Sequence, residues 1–443
     1  MKEIIHIQLG QAGNAVGNRF WEVVSEEHSI DPSGRYYGSN VTHLEKINVF
    51  YNETVHNKFI PRAILGDADK YTADLNRSGT FGKLFEPDNI IGGTTTAGNN
   101  WAKGMYTEGA EIAESILNCA RKEVERCEYF EGFQMVHALG GGTGSGLACH
   151  LLQKLRDEYP GRMICTYSIV PSVKVSDTVV EPYNTILTLP YLINYADEVF
   201  VIDNEALHDI CYNNLKLMNA THADFNFLTS RAMAGITTFF RLPGDMNGSL
   251  REIKSNMVPY PHLHFLMPAF VPMVTRDMLP LQKNSLKQCV SDAYNVNSLM
   301  CKCDPNNGKY LTKYCTFRGE ISKKDLDLLV DKMNEDQEDY LVEYIPNNIK
   351  ASICNIPMKG FKFAAAFIGN NTAICEVWDR IYEPYCAMLE RQWYLNWYYC
   401  EGLEEEEFFA AQRSAISLFK RYRSCEGVYC DTDSEDDLIM VEE

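Results

Sequence analysis

The stretch Gly140-Gly141-Gly142-Thr143-Gly144-Ser145-Gly146 constrains this chain more than any other. Before it, Phe133-Gln134-Met135-Val136-His137-Ala138 has the apolar character of a buried strand, and after it Leu147 to Leu155 carries helical apolar spacing. Glycines in a strand-to-helix turn leave backbone N–H groups unobstructed by Cβ atoms, so they can converge on an anion. The positive end of the helix dipole points at the same place. The turn therefore predicts a phosphate cradle. It is not a P-loop, because Leu147 stands after the last glycine where that motif needs Lys, and it does not fit G-x-G-x-x-G. A tight turn between packed elements explains one or two glycines, whereas five in seven residues ask for a ligand.

The same arrangement recurs along the first half. Ile4 to Leu9 reads as a strand, Gly10-Gln11-Ala12-Gly13-Asn14 as a turn, and Ala15 to His28 as a helix. Residues 30 to 60 read as a long surface loop with short strands. Arg62 to Gly66 is a buried strand running into Asp67-Ala68-Asp69. Two carboxylates at a strand end suit a hydrated Mg²⁺, although taken alone they equally describe a polar turn. Gly92 to Asn100 is a third small-residue loop, leading into a helix from about Trp101 to Cys127. Met163 to Val170 and Glu198 to Asp203 are buried strands, with a helix starting near Val179 between them. Asp177 and Glu181 stand at the start of that helix, where carboxylates either accept from ribose hydroxyls or cap the helix. Strands alternating with helices predict a doubly wound parallel sheet, and ligands of such sheets sit at the carboxyl ends of the strands. Each candidate loop lies at such an end.

After about residue 205 the pattern becomes mixed. A long helix over Asp224 to Phe240 is followed by a Pro/Gly loop and a helix near Ser249 to Asn256. Strands near His264–Ala269, Tyr310–Arg318, Ala351–Ile356 and Phe361–Ile368 alternate with helices near Lys283–Tyr294 and Lys323–Asn334, which reads as α+β. From Thr372 the chain reads as helical, and it ends in an acidic segment. A net charge of −19 disfavours nucleic acid and favours basic partners. No apolar run is long enough for a membrane span or a signal peptide. The fifteen cysteines have no paired framework or zinc spacing, which predicts free thiols in a reducing compartment.

With these residues in view, the chain resembles the tubulins, and among them a divergent β-tubulin. Gly140 to Gly146 resembles the phosphate loop of tubulin and bacterial FtsZ. Gly98 to Gly104, Val179 to Asn184, Ile202 to Leu207 and Cys303-Asp304-Pro305 are similar to superfamily motifs, while Val342 to Asn348 and Phe367 to Ile374 are similar to the β type. The resemblance covers residues 1 to 428. It implies an α/β fold: a Rossmann-like parallel-sheet GTP-binding domain over 1–204, an α+β intermediate domain over 205–371, C-terminal helices over 372–428 and an acidic disordered tail over 429–443. It also implies GTP or GDP and Mg²⁺ as cofactors. Gln11, Gly142, Thr143 and Gly144 would hold phosphates, and Asp67 and Asp69 would stand near Mg²⁺. Asp177 and Glu181 would lie near the ribose, with Asn204 and Asn226 reading guanine.

Several positions depart from the family. Asp69 stands where Glu is usual, Ala12 replaces Cys, and Ala138 replaces a Ser that contacts the nucleotide. His222 takes the place of a Tyr that stacks on the base. Leu281, in the loop Arg276 to Lys283, replaces an aromatic that anchors lateral contacts. Glu252 occupies a position that is Lys in β chains but a catalytic Glu in α chains.

The implied function is a β-tubulin-like subunit that pairs with α-tubulin and polymerises head to tail into cytoplasmic microtubules. Its GTPase activity would be weak in the isolated subunit and activated by assembly. Implied partners are α-tubulin, neighbouring subunits, and basic motor and microtubule-associated proteins drawn to the tail, with no nucleic acid and no membrane. A non-polymerising tubulin-like regulator or nucleator is the alternative. A dinucleotide-dependent oxidoreductase is a distant one, because the first loop after Ile7 lacks G-x-G-x-x-G.

Overall fold

A computed structural model describes residues 2–54, 56–172, 174–244, 248–274, 285–335, 338–346 and 348–426. The buried apolar runs of the first half become parallel strands because each is followed by a helix that carries the chain back across the sheet. Strand β1 (Glu3–Leu9) runs into helix α1 (Gly10–Glu27). Strands β2 (Tyr51–Glu53) and β3 (Phe59–Pro61) form a separate antiparallel ribbon. Next come β4 (Ala63–Asp67), α2 (Lys70–Ser78), β5 (Ile90–Gly92), α3 (Trp101–Tyr106), α4 (Glu108–Arg126) and β6 (Phe130–Ala138). A wide helical turn over Thr143–Leu147 leads into α5 (Ala148–Glu158), then β7 (Met163–Val170), α6 (Glu181–Tyr195) and β8 (Glu198–Asp203). In the sheet these strands lie β5-β4-β1-β6-β7-β8, all parallel.

The second half extends the same sheet. After α7 (Asn204–Asp209), α8 (His222–Arg241) and α9 (Leu250–Met257), strand β9 (Phe265–Val271) joins β8 in parallel through Val199↔Phe265 and Phe200↔Leu266. Helix α10 (Leu286–Ala293), β10 (Tyr310–Arg318), α11 (Lys323–Glu335), β11 (Ile349–Cys354) and β12 (Ala364–Asn371) follow. Strand β12 is antiparallel to both β9 and β10, and β11 forms the edge of a sheet of ten strands among the described residues. The chain then turns into α12 (Cys375–Glu390), α13 (Leu395–Tyr399) and α14 (Glu405–Ser424). Residues alternate between the two faces, as a strand requires. Val199 and Val201 belong to one core with Leu151, Tyr183, Trp378 and Phe408, while Phe200 and Ile202 belong to the other with Phe20, Trp21 and Phe240. The cysteines among the described residues are all free thiols. The tail over 429–443 and the loop from Arg276 to Lys283 with Leu281 lie outside the described residues.

The single helix expected from Trp101 to Cys127 is two helices, broken at Thr107 with φ −115° and ψ −96°. The break lets Gly104 seat on the glycine turn, where a Cβ would stand 2.1 Å from the Gly142 carbonyl oxygen. Thr107 itself donates to Glu401 at 3.0 Å.

One buried ion cluster ties the two halves together. Glu27 at the end of α1 accepts from Arg241 of α8 and, at 2.6 Å, from Arg318 of β10. All three are buried. Burial alone would raise the Glu27 carboxyl, but the two guanidiniums, through charge and hydrogen bonds, hold it at about 2 against an ordinary 4.5. The fold thus favours the charged form. The stability Glu27 contributes is complete above a pH of about 4.5 and is lost as pH falls toward about 2. Glu27→Gln, which leaves two buried cations without a counter-charge, should cost about 3–5 kcal/mol in urea unfolding. The variant should also show a shallower acid dependence than the parent in that pH window.

Candidate functional site

The carboxyl ends of the parallel strands open on one cavity of about 640 Å³. Three small-residue turns form its floor. Gly10 adopts φ +71° and packs so closely that a Cβ there would stand 3.1 Å from the Gly144 nitrogen. A Cβ on Gly144 would stand 2.7 Å from the Ala138 carbonyl oxygen. Only glycine lets these two turns meet. The leading N–H groups of the turn over Thr143–Leu147 have no partners within their own helix, and the cavity lies in front of them.

Three polar residues hold the floor in place. His137 is buried and bonds the Gly144 carbonyl through Nδ1 at 2.7 Å, so Nδ1 carries the proton and Nε2 accepts from Ser168 at 2.9 Å. Burial keeps this ring neutral, with its pKa lowered to about 4 despite the Gly144 bond. Asn184 of α6 donates to the carbonyls of Asn99 (2.8 Å) and Gly140 (2.7 Å). It also accepts from the Trp101 amide (3.1 Å) and the Tyr398 hydroxyl (2.7 Å). Asn14 of α1 donates to the carbonyls of Gly10 (2.8 Å) and Gly66 (3.1 Å) and accepts from Asn76 at 2.9 Å. Sequence reasoning assigned none of the three a role. For His137 the signal was a polar ring inside an otherwise apolar run.

The residues singled out from the sequence converge on this cavity. Gln11, Ala138, Gly142, Thr143, Gly144, Asp177, Glu181, Asn204, His222 and Asn226 all line it, together with Asp67 and Asp69. The amides of Asn204 and Asn226 have no hydrogen-bond partner among the described residues, so both faces of each remain for a ligand. His222 stands exposed at the mouth, edge-on to Phe225 with ring centres 5.9 Å apart. Neither Asp177 nor Glu181 caps α6, whose N-cap is Val180 without a side-chain bond. Glu181 instead accepts from Ser176 at 2.7 Å, and burial raises its carboxyl above the usual range.

The acidic pair divides its work. Asp69 caps α2 by accepting from the Tyr71 amide at 2.9 Å. Asp67 is buried, and its Oδ2 has no hydrogen-bond partner. Its Oδ1 accepts from the Asp69 amide at 3.3 Å, and burial, with Asp69 beside it, raises its carboxyl above the usual range.

Glu252 does not reach this cavity. Its helix α9 docks at the opposite, amino ends of the strands. The Arg251 amide donates to Glu131 at 3.3 Å, Arg251 Nη2 to the Gly161 carbonyl at 3.0 Å, and Lys254 Nζ to Asp197 at 2.6 Å. Those partners precede or begin β6, β7 and β8. A larger groove of about 1160 Å³ contains Arg62 and Arg126, but these are already paired with Glu3 and Glu86.

Residues 3–212 match the Tubulin/FtsZ family GTPase domain, and residues 261–383 match the tubulin C-terminal domain. The chain belongs to the tubulin family. It is 48% identical over 437 residues to the nucleomorph tubulin beta chain of Guillardia theta, covering 99% of each sequence. That full-length match groups the chain with the β-tubulins as a divergent member. GTP or GDP binding and GTP hydrolysis follow for the matched domain in general.

The contact between Gly144 and Ala138 yields a test. Gly144→Ala forces the turn off the end of β6, an overpacking of about 1–3 kcal/mol. Guanine nucleotide affinity measured by fluorescence titration should fall roughly five- to hundredfold, with an unchanged circular dichroism spectrum.

Proposed function

We propose that this chain is a β-tubulin-like subunit. It would bind GTP with Mg²⁺ in the 640 Å³ cavity, pair with α-tubulin and stack head to tail into microtubules, with hydrolysis awaiting the neighbouring subunit. The observation that carries the reading is the convergence in one cavity of glycine turns, two uncommitted amides and a buried carboxylate oxygen. Gly142, Thr143 and Gly144 would offer backbone donors to phosphates. Asn204 and Asn226 can each donate and accept, as a guanine edge requires. Asp177 and Glu181 would face the ribose and His222 the base, with Gln11 near the phosphates. Asp67 fits a magnesium ion, because its buried Oδ2 has no other partner and hard cations take carboxylate oxygen. Asp69, committed to its cap, would act on the ion through water. When bound, Mg²⁺ would offset phosphate charge.

The polarity of the fold supports stacking. The cavity lies at the carboxyl end of β6 and Glu252 lies near its amino end, nine strand residues away, or about 26 Å. One subunit cannot bring its own Glu252 to its own nucleotide, whereas a subunit stacked above the cavity can. Beside the cavity, Trp393, Tyr394 and Trp397 are 46%, 45% and 65% exposed. The Asn100 side chain ties this shelf to the cavity wall by donating to the Trp397 carbonyl at 2.9 Å. Exposed aromatics of this kind suit a subunit interface. A head-to-tail contact generates open filaments.

Glu252 would serve as the base for water at the nucleotide of the adjoining subunit, a role open to a carboxylate and closed to Lys⁺. Lys254, the alternative candidate for the usual Lys role, pairs with Asp197, which favours the Glu252 reading. The intradimer GTP would then be hydrolysable. The acidic tail would draw basic motor and microtubule-associated proteins, and the assembly would be cytoplasmic. Among the described residues no helix is long and apolar enough to cross a membrane.

Three measurements test the reading. Guanine nucleotide should co-purify with the chain, and an adenine or nicotinamide nucleotide in its place would end the proposal. Co-sedimentation with α-tubulin and GTP should yield polymer with two diphosphates per dimer. Glu252→Lys should restore one persistent GTP per dimer, and one GTP retained in both proteins would remove Glu252 from catalysis. Finally, Ala138→Ser should supply one further hydrogen bond, worth about 1 kcal/mol. Nucleotide binding should tighten roughly fivefold.

A further inference from the structure

Helix α14 carries a stripe that the fold does not use. Phe409, Arg413, Ile416, Lys420 and Arg423 are spaced four, three, four and three residues apart, which puts them on one side of the helix. All five are exposed, including the apolar Phe409 (39%) and Ile416 (38%). Arg413 pairs with Glu406 and Arg423 with Asp379, each at 3.0 Å in open solvent, where such pairs contribute little. Lys420 has no ion pair among the described residues. Cations near a helix C-terminus favour the helix dipole, which accounts for Lys420 and Arg423. It does not account for Arg413 in mid-helix or for two exposed apolar side chains aligned with the cations.

The segment that follows α14 has the complementary pattern. Residues 427–443 lie outside the described residues and contain no Lys or Arg. Near their end, Asp436-Asp437 and Glu442-Glu443 flank Leu438-Ile439-Met440-Val441. Ile416 lies ten residues before Glu426, about 15 Å back along the helix axis. The twelve residues from 427 to 438 can span up to about 40 Å, so the reach is ample.

We propose that this tail docks on the α14 stripe of its own chain. Leu438 to Val441 cover Phe409 and Ile416, and the flanking carboxylates face Arg413, Lys420 and Arg423. Tethering makes the contact intramolecular, so individually weak interactions suffice. The tail's charge is then partly neutralised at rest, and a basic partner must displace α14 to take the tail. The inference does not depend on the nucleotide reading.

Carbodiimide, which joins a carboxylate to a lysine amine in direct contact, tests this on the full-length chain. An equal mixture of ¹⁵N-labelled and unlabelled chains separates links within a chain from links between chains. Lys420 should be the main lysine joined to Asp436, Asp437, Glu442 or Glu443, within single chains. Yield should fall severalfold between about 0.1 M and about 1 M salt, where the screening length drops from roughly 10 Å to about 3 Å. Ile416→Ser, or replacement of Leu438 to Val441 by Ser, should lower the yield severalfold at low salt. Three results would each overturn the proposal: tail links spread evenly to other exposed lysines such as Lys83 and Lys122, links only between labelled and unlabelled chains, or yields unchanged by both Ser replacements.

Discussion

Much of this structure depends on the contact between α3 and the glycine turn. A Cβ on Gly104 would stand 2.1 Å from the Gly142 carbonyl oxygen, and one on Gly146 would stand 2.1 Å from that of Trp101. Two backbones therefore touch with only hydrogens between them. That approach fixes the loop from Gly98 to Asn100 beside the turn, and Asn184 locks both with one amide. Gly10 closes from the other side. The donors facing the cavity are thus held in place before any anion arrives, which is the condition under which fixed dipoles act most strongly.

The sheet turns that local arrangement into a polar subunit. Because β1, β4, β6, β7 and β8 are parallel, their carboxyl ends make the cavity and their amino ends make a different surface. Helix α9 is fastened to the second surface. Asp197 is central to this fastening, accepting from Arg156, Lys254 and the Ile164 amide. Burial would raise its carboxyl, but these bonds outweigh burial and hold it below the ordinary range. Glu252 therefore occupies a defined position, with its amide capped by Ser249, at the opposite end of the strands from the glycine-floored cavity. A chain built this way keeps its cavity and its α9 surface at opposite ends of the same strands.

The two ends are coupled mechanically by the helices on the other face of the sheet. Helix α8 carries Asn226 into the cavity near its start and Arg241 into the Glu27 cluster at its end. Helix α1 carries Gln11 and Asn14 at one end and Glu27 at the other. The buried cluster thus fixes the far ends of the two helices whose near ends shape the site. It also binds β10, so the second half of the sheet cannot shift without disturbing that cluster.

The sequence by itself determined the parallel strands, the turns at their carboxyl ends and the residues that line the cavity. These follow from local periodicity, from glycine's freedom and from the resemblance carried by long motifs. Tertiary structure alone decided what depends on distant partners. The joining of β9 to β8 rests on two residue pairs more than sixty positions apart. The break at Thr107 exists because Gly104 must seat on a turn formed later in the chain, and helical spacing is blind to that demand. The partners of Asn184 lie 44, 83, 85 and 214 residues away. Composition could not separate a capping Asp69 from an Asp67 with a buried free oxygen, because two neighbouring carboxylates differ only in what packs around them. Likewise the sequence could name Glu252 as a carboxylate, but only the fold put it at the amino ends of the strands, away from the cavity. Chemistry is written residue by residue, whereas proximity arises when apolar surfaces far apart in sequence are buried together.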